Sequence, residues 1–129
     1  MSALPAAAQM RLAERIRFGL LGTLFSERRM FGAVVFMVQG HMLCAATRKG
    51  LMLRVGPAGM ARALADPAAR PFDGAGRPMT GFVLVAPEGF DRDEALEAWL
   101  ELGLAFVTTL PPKAPRPPRK PPTPRGGRF

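Results

Sequence analysis

Apolar residues follow two different periods along this chain. Near the N-terminus, Leu12, Ile16 and Leu20 recur every four positions with charged residues between them, a pattern typical of an amphipathic helix. From residue 31 to residue 55 the pattern changes to three short apolar runs separated by turn residues, which is typical of consecutive antiparallel strands. A second helical period begins after Asp91. The alternation of periods indicates an α+β protein.

The predicted elements follow the order helix, three strands, helix, strand, helix. The pair Gln39-Gly40 is predicted to form a hairpin turn, because glycine readily adopts the positive φ that such turns need. The order favours a two-layer α+β sandwich with an antiparallel sheet of about four to five strands. The first helix is predicted over 6–24, three strands over 31–38, 41–47 and 51–55, and a short helix over 56–66. A loop rich in proline, glycine and arginine follows over 67–80, and a further strand over 81–86. The last helix is predicted to be capped by Asp91 and to end before Pro111.

The net charge of +8 is unevenly distributed over the 129 residues, a length that supports one domain. Residues 1–112 contain twelve lysines and arginines against all ten acids, a net charge of only +2. The domain therefore lacks the basic excess of a nucleic-acid-binding fold.

Residues 113–129, KAPRPPRKPPTPRGGRF, form a basic tail after this domain. Such a composition cannot build a core, and we expect a disordered segment with polyproline II character. Two alternatives stay open: a solubilising tail without a partner, or a nonspecific contact with nucleic-acid phosphates. The candidate nucleic-acid-binding residues are Lys113, Arg116, Arg119, Lys120, Arg125 and Arg128.

The candidate catalytic pair, His41 and Cys44, lies three positions apart in one predicted strand. Strand alternation should place them on opposite faces, so we expect Cys44 to be a buried core residue and His41 a turn residue. A single cysteine excludes an intrachain disulfide, and no cysteine–histidine spacing is typical of zinc. The sequence predicts no catalytic residue, no metal site and no cofactor, and its methionines at 37, 42, 52 and 60 are expected to fill the core.

Three arginines, Arg54, Arg70 and Arg77, are candidates for an anion-binding or partner-binding pocket near the predicted loop. Guanidinium groups bind oxyanions in a bidentate manner. The alternative is that Arg70 or Arg77 pairs with Asp73 and fixes the loop. No apolar run approaches the ~18 residues of a membrane span, and no secretory signal is predicted, so we expect a cytoplasmic protein without membrane contact.

Several segments together resemble the TfoX N-terminal domain family. They are MFGAVVFMVQGHMLCA, LMLRVGP, RPFDGAGRPMTGFVLVAPEG and EALEAWLELGLAFVTTLPPK, in that order, within about residues 10–113. The resemblance implies an antiparallel sheet backed by helices, with a topology similar to type III secretion chaperones. It also implies a role near transcription, because the founding member coactivates competence promoters alongside a cyclic-AMP receptor protein. That regulator has a C-terminal helical domain where this chain has its basic tail.

From the resemblance and the absence of catalytic motifs we expect a non-enzymatic protein-interaction module with a regulatory role. Its expected partner is an unidentified protein, with the transcription machinery as the first candidate. The alternative is a nucleic-acid-binding accessory protein that acts through the basic tail.

Overall fold

An antiparallel sheet organises the residues that the structure describes, 4–74 and 77–111 of a computed structural model. Within this part of the chain the helices are α1 (Ala6–Gly19), α2 (Gly56–Leu64) and α3 (Asp93–Val107). The strands are β1 (Ser26–Met30), β2 (Ala33–Val38), β3 (His41–Thr47), β4 (Gly50–Arg54), β5 (Ala69–Gly74) and β6 (Arg77–Val85). Their order across the sheet is β1-β2-β3-β4-β6-β5.

All three helices pack on one face of this sheet. The main core combines residues of every helix, such as Ile16, Ala63 and Leu100, with inward residues of the central strands, such as Phe36 and Leu53. Each of these five residues is at most 2 % exposed. This arrangement confirms the predicted two-layer α+β sandwich, with six strands instead of four or five.

Gly103 allows α3 to lie close to the middle of the sheet. A Cβ atom at this position would lie 2.8 Å from Leu53 Cδ1 and 3.0 Å from Leu43 Cδ1. The start of α3 is held from the other side by Arg15 of α1, which donates to the Phe90 carbonyl at 2.7 Å and pairs with Asp93 at 3.1 Å. These contacts set the distance between α3 and the strands β3 and β4.

Two tight turns join the first three strands. The predicted Gln39-Gly40 turn is present, with φ values of 54° and 82°. A second turn of the same kind, Phe31-Gly32 with φ values of 52° and 78°, occupies the first two positions of the predicted strand 31–38. That strand therefore begins at Ala33. The polar segment before this turn is β1, an edge strand with four exposed residues, which the predicted strand bounds do not include.

Other predicted bounds differ for local reasons. The first helix ends at Gly19 instead of residue 24, because Gly22 adopts a positive φ of 91° and turns the chain. The predicted loop 67–80 is mostly strand: β5 lies at the sheet edge, where Pro71 needs no partner for its missing N–H. The last helix begins at Asp93, and its N-cap is Arg92 without a side-chain capping bond, so the predicted Asp91 cap is wrong.

Gln9 is a buried polar residue in α1 that joins the helix layer to the sheet. Its side-chain amide donates to the carbonyl of Gly32 at 2.7 Å and to the carbonyl of Ala46 at 2.9 Å. It thereby binds both the β1–β2 turn and β3, and it is only 6 % exposed. Buried carbonyls that lose a donor carry a desolvation cost.

We therefore expect Gln9→Met, which keeps the side-chain volume but removes the amide, to lower the free energy of unfolding by about 1–3 kcal/mol. Urea unfolding followed by circular dichroism measures this change. Arg11→Gln, at an exposed position of the same helix, is the control and should stay within about 0.5 kcal/mol of the parent. Equal stabilities of the two variants would contradict the assigned role of Gln9.

Candidate functional site

The face of the sheet opposite the helices carries an apolar layer of its own. We call this surface the open sheet face. Every contributing side chain comes from a strand, and none of the described helices adds a residue to it. It consists of Met30, Ala33, Val35, Met37, Met42, Ala45, Met52, Phe72, Phe82 and Leu84.

The peripheral side chains of the open sheet face shield the central ones. Val35, Ala45, Met52 and Leu84 are 1–6 % exposed at its centre, whereas the surrounding methionines and phenylalanines are only partly buried. Methionine is flexible and polarisable, so such a layer can repack against surfaces of different shape. The open sheet face is therefore an apolar surface that can adapt to a partner.

One row of cross-strand neighbours spans the whole sheet on this face. Adjacent members are paired in register, and paired residues in antiparallel strands share a face. We call this set the cross-sheet row: Arg28, Val35, Ala45, Met52, Leu84 and Arg70. It has four apolar residues in the middle and an exposed arginine on each edge strand. Five strand spacings separate Arg28 from Arg70, or about 24 Å.

Arg54 lies at the end of β4 and is held by two aromatic rings. Its guanidinium carbon is 5.5 Å from the centroid of the Phe82 ring and 5.6 Å from that of Phe106. Phe82 belongs to the open sheet face and Phe106 to α3, so Arg54 spans the margin between the two sides of the sheet. Cation–π contacts of this kind restrict the side chain and leave its N–H groups available.

The three arginines proposed from the sequence do not share one loop. Arg54 and Arg70 lie on the same side of the sheet, two strands and two residues apart, which corresponds to about 12 Å between their Cα atoms. Arg77 is exposed at the far end of the β5–β6 hairpin, opposite Gly74. Asp73 forms no ion pair with Arg70 or Arg77 among the described residues. Anion binding by these arginines stays a prediction.

His41 and Cys44 lie on the same side of the sheet, which contradicts the alternation argument. A β-bulge shifts the register between Phe36 and Met37, so His41 pairs with Val38 and Cys44 with Phe36, both inward-facing residues. No hydrogen bond joins His41 to Cys44: the His41 Nε2 contacts the Pro111 carbonyl at 2.7 Å. Cys44 is fully buried as predicted, and burial raises the pKa of its thiol far above the ordinary value.

Within the described residues, the other candidate features do not form a catalytic or metal-binding site. A cleft of about 470 Å³ lies between α2 and α3, but its charged lining consists only of Arg62, Asp66 and Glu101. In the described part of the chain no three His, Cys, Asp or Glu side chains are grouped as metal ligands. The helices described here include none that is long and apolar enough to cross a membrane. The tail cations from Lys113 to Arg128 lie outside the described residues.

Sequence reasoning missed the open sheet face, although its components were visible. Met60 packs against the main core as expected, but Met37, Met42 and Met52 lie on the opposite face. The sequence signal for this face was the unbroken apolar run of β2, because such a run predicts that both faces of the strand are buried. Only the placement of all three helices on one side reveals which face lacks a helical layer.

The raised thiol pKa of Cys44 predicts a specific pH dependence of stability. The unfolded chain loses the thiol proton near pH 8.5 while the folded chain keeps it, so folding is disfavoured as pH rises above that value. Above about pH 9, the free energy of unfolding should fall by up to about 1.4 kcal/mol per pH unit faster in the parent than in Cys44→Ala, whereas near pH 7 the two slopes should be equal. Urea unfolding at pH 7, 9 and 10 tests this, and parallel pH dependences of the two proteins would refute it.

A comparison with known protein families finds a match over most of the chain. The sequence profile of the TfoX N-terminal domain matches residues 18–107, which includes the whole sheet and α2 and α3. No curated protein and no solved structure matches the chain significantly. The likeness to secretion chaperones therefore stays a prediction. Because the matched segment covers well over half of the chain, this protein belongs to the TfoX N-terminal domain family.

Proposed function

We propose that this protein is a non-enzymatic, cytoplasmic protein-interaction module that acts in transcriptional regulation. The observation that supports the proposal is the open sheet face, ten neighbouring apolar residues on a surface to which no described helix contributes. Single apolar residues are common on protein surfaces, but contiguous apolar patches mark binding sites. A partner that covers this face would remove its remaining apolar area from water, a gain of about 25 cal/mol for each Å².

The absence of a catalytic set in the described residues is consistent with a binding role. A nucleophile needs a base within hydrogen-bonding reach and access to a substrate. Cys44 has neither, since it is fully buried and forms no hydrogen bond with His41. The regulatory part of the proposal rests on the family, which is named after a regulator of natural competence.

Site-specific photo-crosslinking in the native host tests the binding surface. p-Benzoylphenylalanine at position 72, on the open sheet face, should give a discrete protein adduct on irradiation. The same residue at position 11, where the polar Arg11 of α1 is exposed on the helix side, is the control and should give little or none. Adducts of equal yield and size at both positions would contradict the proposal.

The regulatory role needs a separate measurement. Deletion of the gene should change a defined set of transcripts, and a chain with Met37→Gln and Met42→Gln should reproduce that change while remaining folded. Unchanged transcripts in the deletion strain would refute regulation, but they would leave the crosslinking result intact.

An alternative function is nucleic-acid binding through the basic tail, and the six tail cations without a neighbouring acid favour it. If all six contact duplex phosphates, the logarithm of affinity should fall with log salt at a slope of about −5. Replacing the six by glutamine in the full chain should then abolish the mobility shift of a 30-base-pair duplex. An unchanged shift after replacement would eliminate this alternative.

A further inference from the structure

The charges around the open sheet face define what kind of segment can occupy it. We propose that the partner presents an amphipathic segment, apolar in the middle with carboxylates near both ends, which docks along the cross-sheet row. This inference rests on the proposed function, since it names the partner chemistry of the same surface. It goes further in assigning Arg28 and Arg70 as the residues that select the partner by charge.

The charged positions in register with this face are all arginines. Arg28 and Arg70 pair with Val35 and Leu84 of the open sheet face, and Arg54 pairs with Phe82. Neither Arg28 nor Arg70 forms an ion pair or side-chain hydrogen bond within the described residues, and both are exposed. A guanidinium group offers a planar fork of donors that matches a carboxylate.

The acids are concentrated elsewhere on the molecule. Two lie in the strands: Glu27, which is bound to Arg17 of α1 at 2.5 Å on the helix side, and Asp73, beyond the register shift near the end of β5. The largest group of the other acids lies in α3 and just before it: Asp91, Asp93, Glu94, Glu97 and Glu101. Glu88 lies nearer to the row, because it lines a depression beside Arg70 and Leu84, but Lys49 lines the same depression. Cations therefore outnumber acids around the cross-sheet row, whereas acids outnumber cations along α3, and this difference orients an acidic partner toward the sheet.

The dimensions of the cross-sheet row set the length of the segment. The distance of about 24 Å between its terminal arginines corresponds to about 16 residues of α-helix at 1.5 Å per residue. Four apolar residues fill the interval. A helix of four to five turns with glutamates in its first and last turns therefore satisfies both ends of the row and its apolar centre.

Other occupants fit the charges less well. The chain's own tail carries six cations and no acid, so the arginines repel it. A second copy that docks by the same face brings arginine-edged surfaces together. The acidic side of a second copy does offer an exposed phenylalanine, Phe18, beside Glu97, but the acids of α3 run only from Asp93 to Glu101, about 12 Å of helix, which is half the distance between Arg28 and Arg70. Single-stranded nucleic acid binds sheets by stacking bases on aromatic rings. Here two of ten residues are aromatic, and Arg54 already lies over Phe82.

The test uses two fluorescein-labelled 20-residue helical peptides with the same Leu/Met face, one with glutamates and the other with lysines in the first and last turns. Titration into the full chain at about 0.15 M salt, where distant charges are screened, should give at least about tenfold tighter binding of the glutamate peptide. In spectra of methyl-¹³C-methionine protein, the signals of Met30, Met37, Met42 and Met52 should shift. Those of Met10 and Met60, which pack against the main core, should not.

Charge reversal provides the matched control. Arg28→Glu/Arg70→Glu should weaken the glutamate peptide about tenfold and strengthen the lysine peptide. Arg11→Glu/Arg62→Glu changes the net charge equally at exposed positions of α1 and α2, and it should alter neither affinity more than about twofold. Equal weakening by both double variants would overturn the assignment of Arg28 and Arg70.

The remaining outcomes separate this inference from the proposed function. If both peptides bind equally and shift the four open-face methionines, charge selection is wrong and the interaction surface stands. If neither peptide shifts them at 1 mM, both proposals fail. If a 20-nucleotide oligothymidylate or vesicles with 30 % phosphatidylglycerol shift them at lower concentration than the glutamate peptide, the occupant is not a protein segment and the inference is overturned.

Discussion

The sheet has two apolar faces, and the helices that the structure describes cover one of them. Stripes of α1, α2 and α3 all contribute to the main core, together with the inward residues of the strands. The other face is left with side chains from strands alone. This imbalance is the physical constraint on which the account of function depends, because an apolar layer without a helical cover stabilises the protein less than a layer buried between two elements.

Long, flexible side chains partly cover the apolar layer of the open sheet face. Methionines and phenylalanines of partial exposure surround Val35 and Ala45, which are 3 % and 1 % exposed. The arginines at both edges of the cross-sheet row keep charge beside this layer, a device that discourages edge-to-edge pairing of sheets. The same residues make the surface selective, since a purely apolar partner would leave the guanidinium groups without an acceptor. Solubility and partner choice thus depend on the same side chains.

The sequence predicts the architecture well because its periods are local. Leu12, Ile16 and Leu20 define α1 without help from the rest of the chain, and Gln39-Gly40 forms its own turn. The errors occur where tertiary contacts decide. Pro71 and the glycines near it indicate a loop, yet pairing with β6 makes β5 a strand. The bulge opposite Phe36 reverses the side of the sheet on which His41 lies, and no residue type in the sequence predicts this bulge.

The candidate site was harder to predict than the fold. Arg54 and Arg70 attract attention in the sequence, but the pairing of Arg28 with Val35 depends on a turn at Phe31-Gly32 that lies inside an apolar run. The cross-sheet row joins residues that are up to 56 positions apart in the chain, Arg28 and Leu84. Such a surface follows from strand order, which apolar periodicity does not specify.

Neighbouring residues of β3 test the central claim most directly, because Met42 belongs to the open sheet face and Leu43 to the main core. Glutamine has nearly the volume of either side chain, and its amide needs water or a hydrogen-bond partner. We predict that Met42→Gln lowers the free energy of unfolding by less than about 1 kcal/mol, since Met42 is only partly buried and its replacement amide can reach solvent, and that Leu43→Gln lowers it by about 3 kcal/mol or more. Equal losses at both positions would mean that a further layer of the protein covers the second face, and the account would be wrong.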